Sequence, residues 1–296
     1  MEHSQAISKA FRILQERPNL VWFGFWPAIL DILVGGTIFF YQGFANLHHL
    51  LQPNRSILES LRPLLDFARE NVVIAGWLAV TAALIFLLRL VVPVFCRAGL
   101  IFALDSAHTG SPLPAGKALG RGILAFLPFF EMTLVLGVFS LDTIFVEFGF
   151  AWRNLPPEIF RIIFFPLIFF AGFAILASLA TVFAEFFLLL RGEKMAVAIG
   201  SSFRLVVENL GRTLILGLLL LTIGVRVLIS ALLVIGVPLA LTWLTGNLLS
   251  LPLGFALAAG GLAGLFLLFF AGKLLGAMRV FVLGVWVETF RELADS

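Results

Sequence analysis

Six stretches of this chain each run for more than twenty residues with few charges, and that constrains the fold before any other feature does. They are 20–42, 71–96, 122–147, 161–190, 213–236 and 253–275. A helix rising 1.5 Å per residue needs about 20 residues to cross a hydrocarbon layer of ~30 Å. Inside hydrocarbon each backbone N–H and C=O must be paired within the segment, so such runs fold as helices. A β-barrel would need segments of ~10 residues that alternate apolar and polar, and these runs do not alternate. With 61% apolar and 12% charged residues and a mean hydropathy of +1.08, a water-soluble globule would have an oily exterior. The sequence therefore predicts an all-α fold: a polytopic transmembrane bundle of about six spanning helices, forming one domain over 1–296.

Orientation follows from the basic residues. With both ends inside, thirteen Lys and Arg flank the helices on the cytoplasmic side and five on the other, while Arg89 and Arg226 fall within spans. That asymmetry predicts both termini in the cytoplasm of a cell inner (plasma) membrane. Fairly polar residues precede the first apolar run and no small-x-small cleavage site follows it, so the first helix is expected to stay. The last is too long for one crossing: 253–290 would reach about 57 Å, so it must project past the bilayer or break near Gly272 or Gly276.

Short amphipathic stretches lie between the spans, and two of them repeat. Ala6-Ile7, Phe11-Arg12-Ile13-Leu14 and Glu16 correspond to Ala198-Ile199, Phe203-Arg204-Leu205-Val206 and Glu208, at a constant shift of 192. A fainter third copy runs from Ala115 to Ile123, with Arg121 at the arginine position. Apolar residues on one face with Arg on the flank suit a helix lying flat among cytoplasmic headgroups. These are read as interfacial elbows, with Phe11, Arg12, Arg121, Phe203 and Arg204 as lipid contacts. An outer counterpart is expected over 55–70.

The elbow Ala6–Leu20, the run Ala98-Gly99-Leu100-Ile101 through Asp105, Gly110-Ser111 with Ala115–Gly122, and Glu185 followed by Gly192 and Ala198–Asn209 resemble a broad bacterial group of six-helix membrane proteins. That group includes the membrane domain associated with glycerophosphodiester phosphodiesterases. The resemblance implies the bundle and its elbows. It does not imply the hydrolase activity, which resides in a separate soluble barrel.

Reactive constellations are absent from the sequence. Gly-x-Ser-x-Gly, His-Glu-x-x-His and Gly-x-x-x-x-Gly-Lys do not occur, so neither an enzyme nor a metal or other cofactor is expected. His3, His48, His49 and His108 fall outside the spans, which leaves no axial ligand for haem. Cys96, the single cysteine, reads as a structural thiol, and Lys273 as a snorkelling lysine. No basic run with interleaved aromatics suggests nucleic acid. Gly260 and Gly264 make a small-residue face suited to close packing, within the chain or in a homo-oligomer. The most informative groups are the ionisable ones inside spans: Asp31, Arg89, Glu131, Glu185 and Arg226. Depth along the helices suggests Asp31–Arg226 and Glu131–Arg89 as pairs.

Two functions are compatible with this inventory. The first is a non-catalytic protein of membrane organisation, a scaffold or accessory subunit whose partners are lipids and other membrane subunits. The second is a small transporter that moves an ion, proton or small anion along the buried charges. Charges that are dry and mutually paired, with an apolar face left for a partner, favour the first, and a hydrated cavity reaching Asp31 or Glu131 from one side favours the second.

Overall fold

The computed structural model describes residues 3–51, 62–139, 141–243 and 253–294, and every regular element among them is helical. The first elbow is α1 (His3–Glu16). It ends where Pro18 opens a short 3-10 turn, Pro18–Leu20, because a proline ring clashes with the carbonyl four residues back. The chain then enters α2 (Val21–Leu51), followed by α3 (Arg62–Glu70) and α4 (Val72–His108). Next come α5 (Ala115–Leu124), α6 (Phe126–Gly137), α7 (Leu141–Asn154), α8 (Pro157–Ala180) and the short α9 (Ala184–Leu190). The last three are α10 (Met195–Glu208), α11 (Leu210–Trp243) and α12 (Leu253–Ala294).

Four helices are long and apolar enough to cross a membrane, or six if each of two bent pairs counts as one crossing. Their length and composition are those of a multi-pass membrane protein. One bent pair is α5 with α6, at 70°, and the other is α10 with the first part of α11, at 97°. The expected third span, 122–147, is therefore not one helix. Pro128 has no N–H to give the Leu124 carbonyl and its ring crowds that oxygen, so the helix stops at Leu124 and restarts at Phe126. The expected fourth span, 161–190, lies within one of the four crossings, Pro157–Leu190, and is interrupted only by a turn at 181–183. Thr181 turns its hydroxyl back onto the Ala177 carbonyl at 2.8 Å, and Ser202 of α10 fills the gap. Its Oγ donates to the Ala180 carbonyl at 2.8 Å and accepts from the Phe183 N–H at 3.1 Å.

The last helix does not break at Gly272 or Gly276. It continues for 42 residues, about 63 Å at 1.5 Å each. The two glycines instead admit α2: a Cβ on Gly24 would lie 2.4 Å from the Gly276 carbonyl oxygen, and one on Gly272 2.9 Å from Ile29. A second close approach joins α4 to α5, where a Cβ on Gly122 would lie 2.5 Å from the Phe95 carbonyl oxygen. Backbones that close gain the contact area that drives helix association in lipid.

Burial is polarised along the long helices. On α4 the side chains of Val73, Trp77, Leu78, Leu84 and Leu87 are exposed, whereas Val94, Cys96, Leu100, Ile101 and Leu104 are buried. On α12 the switch comes between Leu274, exposed, and Val280, buried. The core thus sits at the elbow end, where α1, α5, α9 and α10 surround the projecting ends of α4 and α12. Phe183, Phe186, Phe187, Trp286 and Phe290 pack there with ring centroids 4.9–6.3 Å apart. The opposite stretches carry an apolar surface that is stable against hydrocarbon and not against water.

The elbows superimpose in register more fully than the sequence suggests. Helices α1, α5 and α10 begin at His3, Ala115 and Met195. Counted from those starts, Ala6, Ala118 and Ala198 occupy one position, and all are buried. Four residues on, Ala10, Gly122 and Ser202 are buried in turn. One residue further, Phe11, Ile123 and Phe203 are 51%, 55% and 57% exposed. This register corrects the expected alignment of the third copy, because Arg121 falls at the position of Lys9 and not at that of Arg12.

Candidate functional site

The ionisable side chains gather into three sets of ties. The first lies within the spans. Asp31 is on α2, Arg89 on α4 and Arg279 on α12, and the carboxylate takes both arginines. Arg89 Nε donates to Oδ1 at 3.2 Å, and Arg279 Nη2 donates to Oδ2. Helix geometry explains the convergence. Side chains lean toward the N-terminus of their own helix, and α4 and α12 run opposite to α2, so the arginines lean one way and Asp31 the other. The three side chains remain 31–38% exposed.

The expected pairs are thus replaced. Arg89 meets Asp31 and not Glu131. Arg279, assigned to the cytoplasmic flank because it follows the apolar run 253–275, takes the place expected for Arg226. Glu131 is exposed on α6, and no ion pair reaches it among the described residues. Arg226 lies on α11, in a stretch whose side chains fall outside the described residues.

The second tie is Glu185, at the start of α9 and buried. Arg97 of α4 forks onto it, with Nε 2.6 Å from Oε2 and Nη2 2.7 Å from Oε1. A two-point guanidinium–carboxylate contact fixes orientation as well as distance. Cys96, next to that arginine, is buried.

The third set closes the elbow end. Glu288 on α12 has a side chain only 4% exposed and receives Lys9 Nζ of α1 at 2.6 Å and His108 Nε2 of α4 at 2.7 Å. One turn away, Arg291 gives Nε and Nη2 to Asp105 Oδ1 at 2.8 and 2.6 Å. The sequence reading missed Lys9, Asp105, Glu288 and Arg291, because polar residues near helix ends read as solvated. The signal was the spacing. Asp105 and His108 are three apart, as are Glu288 and Arg291, which puts an acid and a base on one face of each helix.

The elbow residues keep their repeat in detail. Arg12 Nε lies 2.8 Å from Glu16 Oε1 and Arg204 Nε 2.8 Å from Glu208 Oε1, both on exposed surface. Arg121 is exposed too. Lys273 does not simply extend away: its Nζ lies 3.3 Å from the centre of the Trp22 ring, a cation–π contact. Gly260 is buried and Gly264 half-buried. His3, His48 and His49, like the residues of the expected outer amphipathic stretch before Arg62, lie outside the described side chains. Among the described residues no group of three His, Cys, Asp or Glu could hold a metal ion.

No protein-family model matches the chain, and no curated protein or solved structure does either. What it does has to be argued from its own residues.

Proposed function

We propose that the chain is a non-catalytic multi-pass protein of the inner (plasma) membrane, a scaffold or accessory subunit, with both termini cytoplasmic and its three elbows lying in the inner headgroup layer. One observation carries the reading: Asp31, Arg89 and Glu185, three of the five charges that would make a polar path, are consumed in ties between helices. Asp31 joins α2 to α4 and α12, Glu185 joins α9 to α4, and Glu288 joins α12 to α1 and α4. Such ties fix helix register more than they add net stability. The resemblance to the six-helix bacterial group agrees with this reading. The bare sides of α4 and α12, from Trp77 to Leu87 and from Leu262 to Phe270, offer room for lipid or a second membrane subunit.

A photoreactive residue at Phe266, in chain purified from native membranes, tests the proposal. A recurrent protein adduct is expected. Lipid adducts alone, together with Asp31-dependent flux in proteoliposomes, would overturn it.

The second reading, transport of a small anion, has its own support. Two guanidinium groups face one carboxylate at Asp31, which leaves a positive excess inside the spans, and the three side chains are not sealed. Under that reading Arg279→Gln abolishes anion flux while the protein stays folded.

A further inference from the structure

The three elbows share a register but not a charge. Their third and seventh positions are Gln5 and Lys9 in α1, Lys117 and Arg121 in α5, and Val197 and Ser201 in α10. Lys9 Nζ turns to the buried Glu288 at 2.6 Å, and Ser201 Oγ donates to Glu193 Oε2 at 2.9 Å. Arg12 and Arg204, at the tenth position, each hold a glutamate one turn on, Glu16 and Glu208. Helix α5 contains no acidic residue. Among the described residues no ion pair reaches Lys117 or Arg121, and both are exposed. Lys194 and Arg212 lie beyond opposite ends of α10, separated by its 14 residues, so they make no such pair.

Spacing sets the two free cations side by side, because residues four apart share a helix face with Cβ atoms ~5–6 Å apart. At about 100° per residue, Lys117 and Arg121 form one edge of the outward face of α5 and Ile123 the other. Gly116 and Gly120 lie between these edges, opposite the buried Ala118 and Gly122. A Cβ at Gly116 or Gly120 would meet nothing within 4 Å, so a headgroup can settle close to the helix there. Ile123 and Leu124, with Leu127 of α6, add an exposed apolar surface. The 70° bend between α5 and α6 lays α5 close to the membrane plane when α6 crosses the bilayer.

We propose that this outward face of α5 is a site for an anionic glycerophospholipid. Lys117 and Arg121 hold the headgroup phosphate, and the acyl chains lie against Ile123, Leu124 and Leu127. Two adjacent cations without an acid match a lipid of net negative charge, and they repel the ammonium of a zwitterionic one. The apolar neighbours select a lipid over free phosphate. The proposal rests on the reading that the elbows lie in the inner headgroup layer, and it divides their roles. Helices α1 and α10 neutralise their own arginines, whereas α5 leaves its cations to the lipid.

The test uses the full chain on a Cys96→Ser background, with a bimane fluorophore on Ile123→Cys, in vesicles of phosphatidylcholine mixed with phosphatidylglycerol. Bromine on the acyl chains of one lipid or the other quenches the fluorophore on contact. Phosphatidylglycerol is expected to be favoured at this position by about fivefold or more, the scale of one basic residue near an anionic surface. Lys117→Gln combined with Arg121→Gln is expected to bring the two lipids to parity. A gain of preference gives the complementary measurement: with the fluorophore on Phe203→Cys, Glu208→Gln frees Arg204 and is expected to raise the preference for phosphatidylglycerol there. Equal quenching by both lipids at Ile123, or a preference that survives the double variant, overturns the proposal and leaves α5 in the headgroup layer. Quenching by neither lipid overturns the proposal and that reading of α5 together, and gives the cation pair to an acidic segment of a partner protein.

Discussion

Gly24 and Gly43 both sit in α2, yet their surroundings differ completely. A Cβ at Gly24 would press against the Gly276 backbone, whereas one at Gly43 meets nothing within 4 Å. Gly24→Ala is expected to destabilise by about 1–3 kcal/mol, the usual range for overpacking. Gly43→Ala should be neutral or stabilise by up to ~1 kcal/mol, because alanine loses less backbone entropy in a helix. Reversible unfolding in detergent micelles reads both, and equal effects would argue against the α2–α12 crossing. Glu288 gives the matching polar test. Its carboxylate is buried and serves Lys9 and His108. Glu288→Gln should cost about 1.5–3 kcal/mol, the range for hydrogen bonds to a charged group, whereas Glu16→Gln, on an exposed pair, should cost a few tenths at most. A midpoint for Glu288→Gln as high as that of the parent protein would mean that the tie is not formed.

At the scale of elements, the elbow is the unit that recurs. Each copy buries a small residue at its fourth and eighth positions, where it presses on the helix ends, and exposes a large apolar one at its ninth. That arrangement places Phe11, Ile123 and Phe203 at one level, suited to the acyl boundary. Spin labels at the three positions in liposomes should therefore show the same oxygen accessibility and the same low accessibility to a water-soluble relaxant. One label in water would break the equivalence. Two of the copies were legible in the sequence because Phe-Arg and Glu recur at one shift. The third was misaligned because Arg121 was matched to Arg12 by residue type. Burial of Ala118 and Gly122 sets its true register, and burial depends on α4 pressing from outside the element. The bend at Ala125 was hidden for a related reason, since hydropathy averaged over twenty residues passes over a local change of direction.

For the whole molecule, composition made the helical membrane class legible, and helix lengths made the crossings nearly so. The partners of the buried charges were not legible. Depth counted from the nearest end of each apolar run takes that end for the membrane surface, yet α12 continues unbroken past 275 to Ala294. That error moved Arg279 to the flank and left Asp31 with the wrong mate. The corrected picture carries a topological consequence. If the elbow end is cytoplasmic, as the excess of Lys and Arg there implies, Glu16 and Lys194 face the cytoplasm while Glu70 and Asn154 face outward. All four are exposed. The protein's one cysteine, Cys96, is buried, and Cys96→Ser gives a background for single-cysteine labelling. In intact cells stripped of any outer membrane, an impermeant maleimide should label cysteine introduced at Glu70 or Asn154, and should label it at Glu16 or Lys194 only after lysis. Labelling of Glu16→Cys and Lys194→Cys before lysis, with the other two protected, would invert the molecule. The elbows would then lie in the outer leaflet.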